Sequence, residues 1–531
     1  MRIHIADDGE TLETIARKKG IEIGQLVKLN PIIPDIHLNL AGIPVRLPIP
    51  FVPARAAAPA PSCDQFFPQV SLEQMARTHY DVVVIGTGAG GGAAIWRLCN
   101  QLKDSGKKVG VVEAGPVLLQ THEYNLSILS EQLSLQNVSV PVGNELKTRL
   151  VYALGGRMLY WSLVSPRMYA GELAQFPLPL QEMNLYYNIA EEVMNVTTRS
   201  RFSPYMNPFS QYFMSQLWEG GLPEATVGPV ASNFEPDKYG SIVHFSSLSF
   251  LGEGYKQMPF DLALNARAVQ IHTEQGRAAG VTVMTPDKQS HFISASNVVV
   301  SASAFESARL LLHSGIEGNA IGHYLTHHTH LEFKFNISPE REDLPQIGQV
   351  FIMLPQTESR AYQYVLGVRV QSLVPTVELE VSGGVFGKVE PRFENKVFLH
   401  PEMKDEYGVP VLEVDFSYSE QDEAVKAQMV ESVHSLASVM GAVTEPQITP
   451  TVTPGGDFHE AGTCRMGDDP DTSATNRFGQ IHGVPGLYIA DNSVLPTTGA
   501  ANPTLTTVAL AIRTADHIAE QLNRIAELAE N

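Results

Sequence analysis

The stretch Tyr80–Gly115, YDVVVIGTGAGGGAAIWRLCNQLKDSGKKVGVVEAG, decides the fold. Val82 to Ile85 is an unbroken apolar run, as expected of a parallel strand buried on both faces, and Lys108 to Val112 reads as a second strand. Between them Ala93 to Leu102 reads as helix. Gly86, Gly88 and Gly91 form GxGxxG at the strand-to-helix turn, the context that gives this motif its meaning. Gly86 permits the tight turn, Gly88 lets the backbone approach a pyrophosphate, and Gly91 allows close helix-to-strand packing. Glu113 follows Gly91 by about twenty residues at the end of the second strand, where its carboxylate can accept both ribose hydroxyls and disfavours a 2'-phosphate. A dinucleotide site is expected, and this motif alone leaves NAD and FAD undistinguished.

Far downstream, His459 to Thr507 reads HEAGTCRMGDDPDTSATNRFGQIHGVPGLYIADNSVLPTTGAANPTLTT. It holds an imidazole, His459, and an amide, Asn502, just before a helix. Pro503 suits the first helical position, so Thr504 and Leu505 should present free N–H groups at the helix start. The middle of the chain, from about 320 to 455, is rich in Val, Phe and Thr and predicts a mostly antiparallel sheet.

At 531 residues the chain is too long for one core, and two or three domains are expected. No apolar run approaches the ~18 residues of a membrane-spanning helix. The net charge of -20, spread along the chain, argues against nucleic acid as a partner. Cys63, Cys99 and Cys464 offer neither a disulfide framework nor metal-ligand spacing. No metal site is expected, the adjacent His327 and His328 of HYLTHHTH included. The opening MRIHIADDGETLE lacks a signal-peptide pattern, so a cytoplasmic location is expected.

Residues 1–50 read as a separate module, followed by an Ala/Pro linker over 51–78. Leu12, Ile15 and Ala16 share one helical face, and Ile23, Leu26 and Leu29 share another. With the flanking strands IHIA and IPVRLP, the module resembles a LysM domain, carried by Gly9, Thr11, Leu12, Ile15, Ala16, Leu26, Asn30, Pro31 and Leu47-Pro48. That resemblance implies binding of an N-acetylglucosamine-type glycan. Docking to another protein is the alternative use.

From residue 80 onward, Gly86 to Gly91, Leu154-Gly155-Gly156, Ser303 to Gly315 and His459 to Thr507 occur in the order seen in glucose-methanol-choline (GMC) oxidoreductases. The resemblance implies non-covalent FAD, because Tyr160 stands where covalently flavinylated members carry His. It also implies hydride transfer from a hydroxyl-bearing carbon. His459, before Gly462 to Gly467, matches the family's histidine and is the candidate base; neutral imidazole suits proton abstraction near pH 7. Asn502 takes the position held by His or Asn, and can orient the substrate oxygen without exchanging protons. Gly155 and Gly156 match the pair against the diphosphate, Ser162 a hydroxyl residue near flavin N5, and Asp491 an acidic cofactor contact. Ala114, Trp161, Val269, Asn492, Pro503 and Thr504 complete the implied cofactor-binding set.

The Gly155 to Trp161 pattern and the closing NPTLTTVALAIRTADHI resemble most the pyranose 2-oxidase and glycoside-oxidising branch, which implies a sugar or glycoside ring hydroxyl oxidised to a ketone. The electron acceptor would be oxygen or a quinone or carrier. A non-sugar alcohol substrate, and a glycan-binding scaffold with a relict flavin fold, are the competing readings. The expected fold is α/β: a Rossmann-like FAD-binding domain in three pieces (79–165, 236–320 and 456–531), an antiparallel substrate domain (321–455) with a cap segment (166–235), and a βααβ module at the start.

Overall fold

The computed structural model describes residues 2–30, 33, 35–41, 43–47, 67–118, 150–197, 207–233, 243–340, 344, 348, 350–372, 377–450 and 458–530. Its first unit is a strand-helix-helix-strand arrangement: β1 (Arg2–Ile5), α1 (Leu12–Lys19), α2 (Ile23–Leu29) and β2 (Pro44–Leu47). β1 and β2 pair antiparallel, with Arg2 opposite Leu47. A capping box between Thr11 and Thr14 starts α1, and Gly20 ends it in the left-handed region that glycine reaches without strain. Leu12, Ile15, Ala16 and Leu26 are buried, as their spacing predicts, whereas Ile23 and Leu29 are only half-buried. The Lys18 ammonium, with the Asp7 backbone and His4, holds the Glu10 carboxyl down to about 2.

The Tyr80–Gly115 stretch forms β3 (Val82–Ile85), α3 (Ala89–Gln101) and β4 (Val109–Val112). Helix α3 starts inside the glycine turn, four residues before the expected Ala93, because Gly88 itself is the N-cap. Strands β5 (Asp261–Ala263) and β6 (Val298–Val300) join with Leu487–Ile489 in a five-stranded parallel sheet. Its order is Leu487–Ile489, β6, β3, β4, β5. Five sequence-distant strands therefore deliver their carboxyl ends to one edge, where open α/β sheets hold ligands. Helix α4 (Ser303–His313) follows β6, and the final helix, Thr504–Glu530, packs along α3, tied by Arg97 to Asp516 at 2.6 Å.

The middle of the chain forms the expected antiparallel sheet. Strands β7 (His328–Ile337), β8 (Val350–Leu354), β9 (Tyr362–Ser372), β10 (Glu378–Lys388) and β11 (Gln447–Pro450) join the short Thr226–Val227 strand, in the order β11, β7, β10, β9, β8, Thr226–Val227. Alternation decides what each face does. Leu331, Phe333, Phe335, Leu379, Val381, Val385, Tyr364 and Leu366 are buried in a cluster with Val425, Met429, Val433 and Leu436 of the Glu420–Val439 helix. The intervening positions, His328, His330, Gln363, Phe386 and Lys388, take the opposite face. A one-residue slip in β7 would exchange the two sets.

Candidate active site

The ends of the parallel strands and the loops after them enclose a cavity of about 490 Å³, lined among others by Gly86, Gly88, Glu113, Gly156, Trp161, Ser303 and His459. Its glycines do different jobs. A Cβ on Gly90 would lie 1.7 Å from the Ala490 carbonyl oxygen, and one on Gly91 would lie 2.0 Å from the Gly86 oxygen, so both serve helix-to-sheet packing. A Cβ on Gly88 would meet nothing within 4 Å, so this glycine leaves cavity space. Gly156 lies against Gly88, where an added Cβ would come 3.0 Å from the Gly88 Cα.

Glu113 is buried at the end of β4. Its carboxylate accepts from the Thr87 N–H at 3.0 Å, the Thr87 hydroxyl at 2.6 Å and the Gly115 N–H at 3.0 Å. These bonds fix the carboxylate at the cavity wall, where the sequence places it beside a ribose. Burial pushes this carboxyl above its ordinary range, against the hydrogen bonds from Thr87 and Gly115. Thr87, not singled out by sequence, also accepts from the Gly155 N–H at 2.9 Å and so ties the first glycine turn to the second.

Asp491 is buried too, and burial likewise pushes its carboxyl up. It accepts from the Ser303 N–H at 3.0 Å, the Ser307 hydroxyl at 2.5 Å and the Ser493 N–H at 2.9 Å, fixing the start of α4 beside the cavity. Ser303 was also missed. It lines the cavity at φ +83, and its buried hydroxyl has no hydrogen-bond partner. A serine in the left-handed region with an orphaned hydroxyl costs free energy that a polar ligand would recover.

Among the remaining candidates, Ala114, Trp161, Ser162, Val269, Asn492, Pro503 and Thr504 all line the cavity. Trp161 is held by a 2.9 Å bond from its indole N–H to the Phe245 carbonyl. Gly91, Gly155 and Asn502 are not among its lining residues, and Asn502 meets it through His459. The last helix begins at Thr504, one residue later than expected, since the Pro503 carbonyl accepts from the Thr507 N–H at 2.9 Å as a capping residue's does. Arg465, for which the sequence suggested no role, lies over the Tyr324 ring at 4.4 Å, and burial lowers its pKa.

His459 reaches the cavity between two supports. Asn502 Nδ2 lies 3.3 Å from its Nε2, and His328 Nδ1 lies 2.9 Å from its Nδ1. Asn502 Oδ1 in turn accepts from Gln363 Nε2 at 2.8 Å. Next to His459, the buried Glu460 pairs with Arg157 of the Gly155–Trp161 turn at 2.7 Å. The histidines of HYLTHHTH diverge: His323 stacks on Phe393, His327 packs against Phe416, and His328 meets His459.

A cavity with a bare glycine cradle, two buried carboxylates and an unsatisfied serine hydroxyl fits FAD, and FAD is the cofactor. The sequence matches the GMC oxidoreductase family over residues 246–330 and 391–511. It is 28% identical over 401 residues to a C-glycoside 3-oxidase of Arthrobacter globiformis, covering 71% of this chain and 76% of that protein. It is 31% identical over 309 residues to a 2-methyl-1,2-propanediol dehydrogenase of Mycolicibacterium austroafricanum, covering 50% of this chain and 56% of that one. Among solved structures, pyridoxine 4-oxidase from Mesorbium loti superposes with a TM-score of 0.63 at 15% identity, over 82% of this chain and 99% of that one, a likeness of fold alone.

Proposed function

Since this chain is an FAD-dependent GMC oxidoreductase with a CH–OH donor, we propose that it oxidises a ring hydroxyl of a sugar or glycoside to a ketone, with His459 as the base. One observation carries the reading: Asn502 Nδ2 and His459 Nε2 face each other 3.3 Å apart, a donor beside an acceptor. A substrate hydroxyl inserted there donates its hydrogen to His459 Nε2 and accepts from Asn502 Nδ2. His459 takes the proton as hydride leaves the carbon, so no high-energy alkoxide is left in the cavity. Asn502 holds the oxygen and thereby aims the C–H bond. Bound FAD supplies the hydride acceptor. The start of the Thr504–Glu530 helix, at the cavity wall formed by Pro503 and Thr504, would offer about half a positive charge to a flavin held there and so would favour its taking up electrons.

Gly86, Gly88, Gly156, Glu113, Asp491 and Ser303 would hold the cofactor's polar length, and Ser162, Trp161 and Tyr160 its ring end. With Tyr160 where a flavinylated chain carries His, the cofactor is held without a covalent bond, and acid precipitation should leave it in the supernatant. The C-glycoside 3-oxidase likeness supports the glycoside substrate, while the diol dehydrogenase likeness supports a small non-sugar alcohol. Anaerobic mixing with a panel of pyranoses, glycosides and diols separates them: loss of oxidised-flavin absorbance with sugars is the expected result, and loss with diols alone would overturn it. Comparing peroxide yield with dye reduction then assigns oxygen or a carrier as acceptor.

For the N-terminal unit the reading is a LysM-like glycan-docking module, supported by its βααβ order and antiparallel strand pairing. The full-length protein should co-sediment with insoluble chitin or peptidoglycan. No retention on either would remove this role.

A further inference from the structure

We propose that His328 is a positioning residue for His459, holding the base in the one tautomer that can abstract a proton and sharing the charge it then acquires. This rests on reading His459 as the base.

Gln363, Asn502, His459 and His328 form a chain of four side chains in contact. Gln363 is buried on β9, opposite Phe386, and its amide nitrogen can only donate, here to Asn502 Oδ1 at 2.8 Å. That turns the Asn502 amide nitrogen toward His459 Nε2, at 3.3 Å. Because this nitrogen also can only donate, Nε2 must carry the lone pair. A neutral imidazole with a bare Nε2 bears its hydrogen on Nδ1. The atom facing Nδ1, at 2.9 Å, is His328 Nδ1, and one hydrogen serves that contact. With Nε2 of His459 bare, His459 donates through Nδ1 and His328 accepts through its own Nδ1.

The surroundings favour this sharing. The two rings cross at 80°, with centroids 4.9 Å apart, and Phe386 walls the pair at 5.5 Å from His459. The charged groups that face them are already paired. Lys388, opposite His328 on β10, binds Glu172 at 2.8 Å, and Glu460, next to His459, binds Arg157 at 2.7 Å. His330 stacks on Phe386 at 4.6 Å. When the substrate O–H proton moves to Nε2 and the C–H electron pair leaves with the hydride to the cofactor, His328, facing Nδ1 at 2.9 Å, accepts from the newly charged ring. A charge-assisted bond of this kind is roughly twice as strong as a neutral one.

The test compares three variants carrying FAD, each followed by anaerobic flavin reduction across a pH series. His328→Phe keeps a ring but removes the acceptor. His328→Asn returns an oxygen close to where Nδ1 was. His328→Phe should slow reduction on the order of 10²-fold, the scale of a misplaced or mis-protonated base, shift the pH profile, and leave KM and the oxidised-flavin spectrum nearly unchanged. His328→Asn should recover most of that rate. Equal loss in both variants, or a His328→Phe rate and pH profile within twofold of wild type, overturns the proposal. Unchanged reduction in His459→Ala would instead remove His459 as the base.

Discussion

At the scale of single residues, the cofactor cavity is built from side chains that are expensive without a ligand. Glu113 is the clearest case, because burial raises its carboxyl pKa in the folded protein. The folded state then binds more protons than the unfolded one between the two pKa values, so stability falls as pH rises through that window. In cofactor-free protein, the melting temperature of wild type should therefore decline relative to Glu113→Gln as pH rises above about 4.5, the ordinary glutamate value. Parallel curves for the two would show that Glu113 is not strained by its burial. Glu113 was legible from its distance to the glycines. Ser303 was not, because nothing in SASAFESARLL announces a serine at φ +83 with an unsatisfied hydroxyl.

At the scale of elements, the GxGxxG turn separates into packing glycines and a binding glycine. An alanine Cβ at position 90 would overlap the Ala490 carbonyl, and backbone cannot yield that far without moving the Leu487–Ile489 strand. At position 88 the same Cβ enters open cavity. Gly90→Ala should accordingly fail to fold or melt far below wild type, whereas Gly88→Ala should fold with near-native circular dichroism and bind FAD at least ~10-fold more weakly, the effect of keeping a backbone about one methyl group away from a phosphate. Equal FAD affinity in Gly88→Ala and wild type would remove this glycine from the cofactor site. The sequence told strand from helix here because burial on both faces leaves an unbroken apolar run. It placed the start of α3 four residues late, since glycines inside a helix look like loop.

At the scale of the whole molecule, the site is a meeting of two sheets. The parallel sheet supplies the cofactor cavity, and the antiparallel sheet turns His328 and Gln363 toward His459 and Asn502. The two halves were unequally legible. A fingerprint within thirty-six residues betrayed the first, and alternation of Val, Phe and Thr indicated the second only as a sheet. The pairings of His328 with His459 and of Gln363 with Asn502 join residues more than 130 positions apart, so no local pattern reports them. Strand register decides them, and register is a property of the folded core. We propose that this corner removes the hydroxyl proton while hydride passes to FAD. It is tested most directly by the rate of anaerobic flavin reduction by a glycoside in wild type and in His459→Ala. The rate should fall by ~10² to 10⁴ in His459→Ala with FAD still bound and its oxidised spectrum unchanged. Reduction of His459→Ala at the wild-type rate would contradict it.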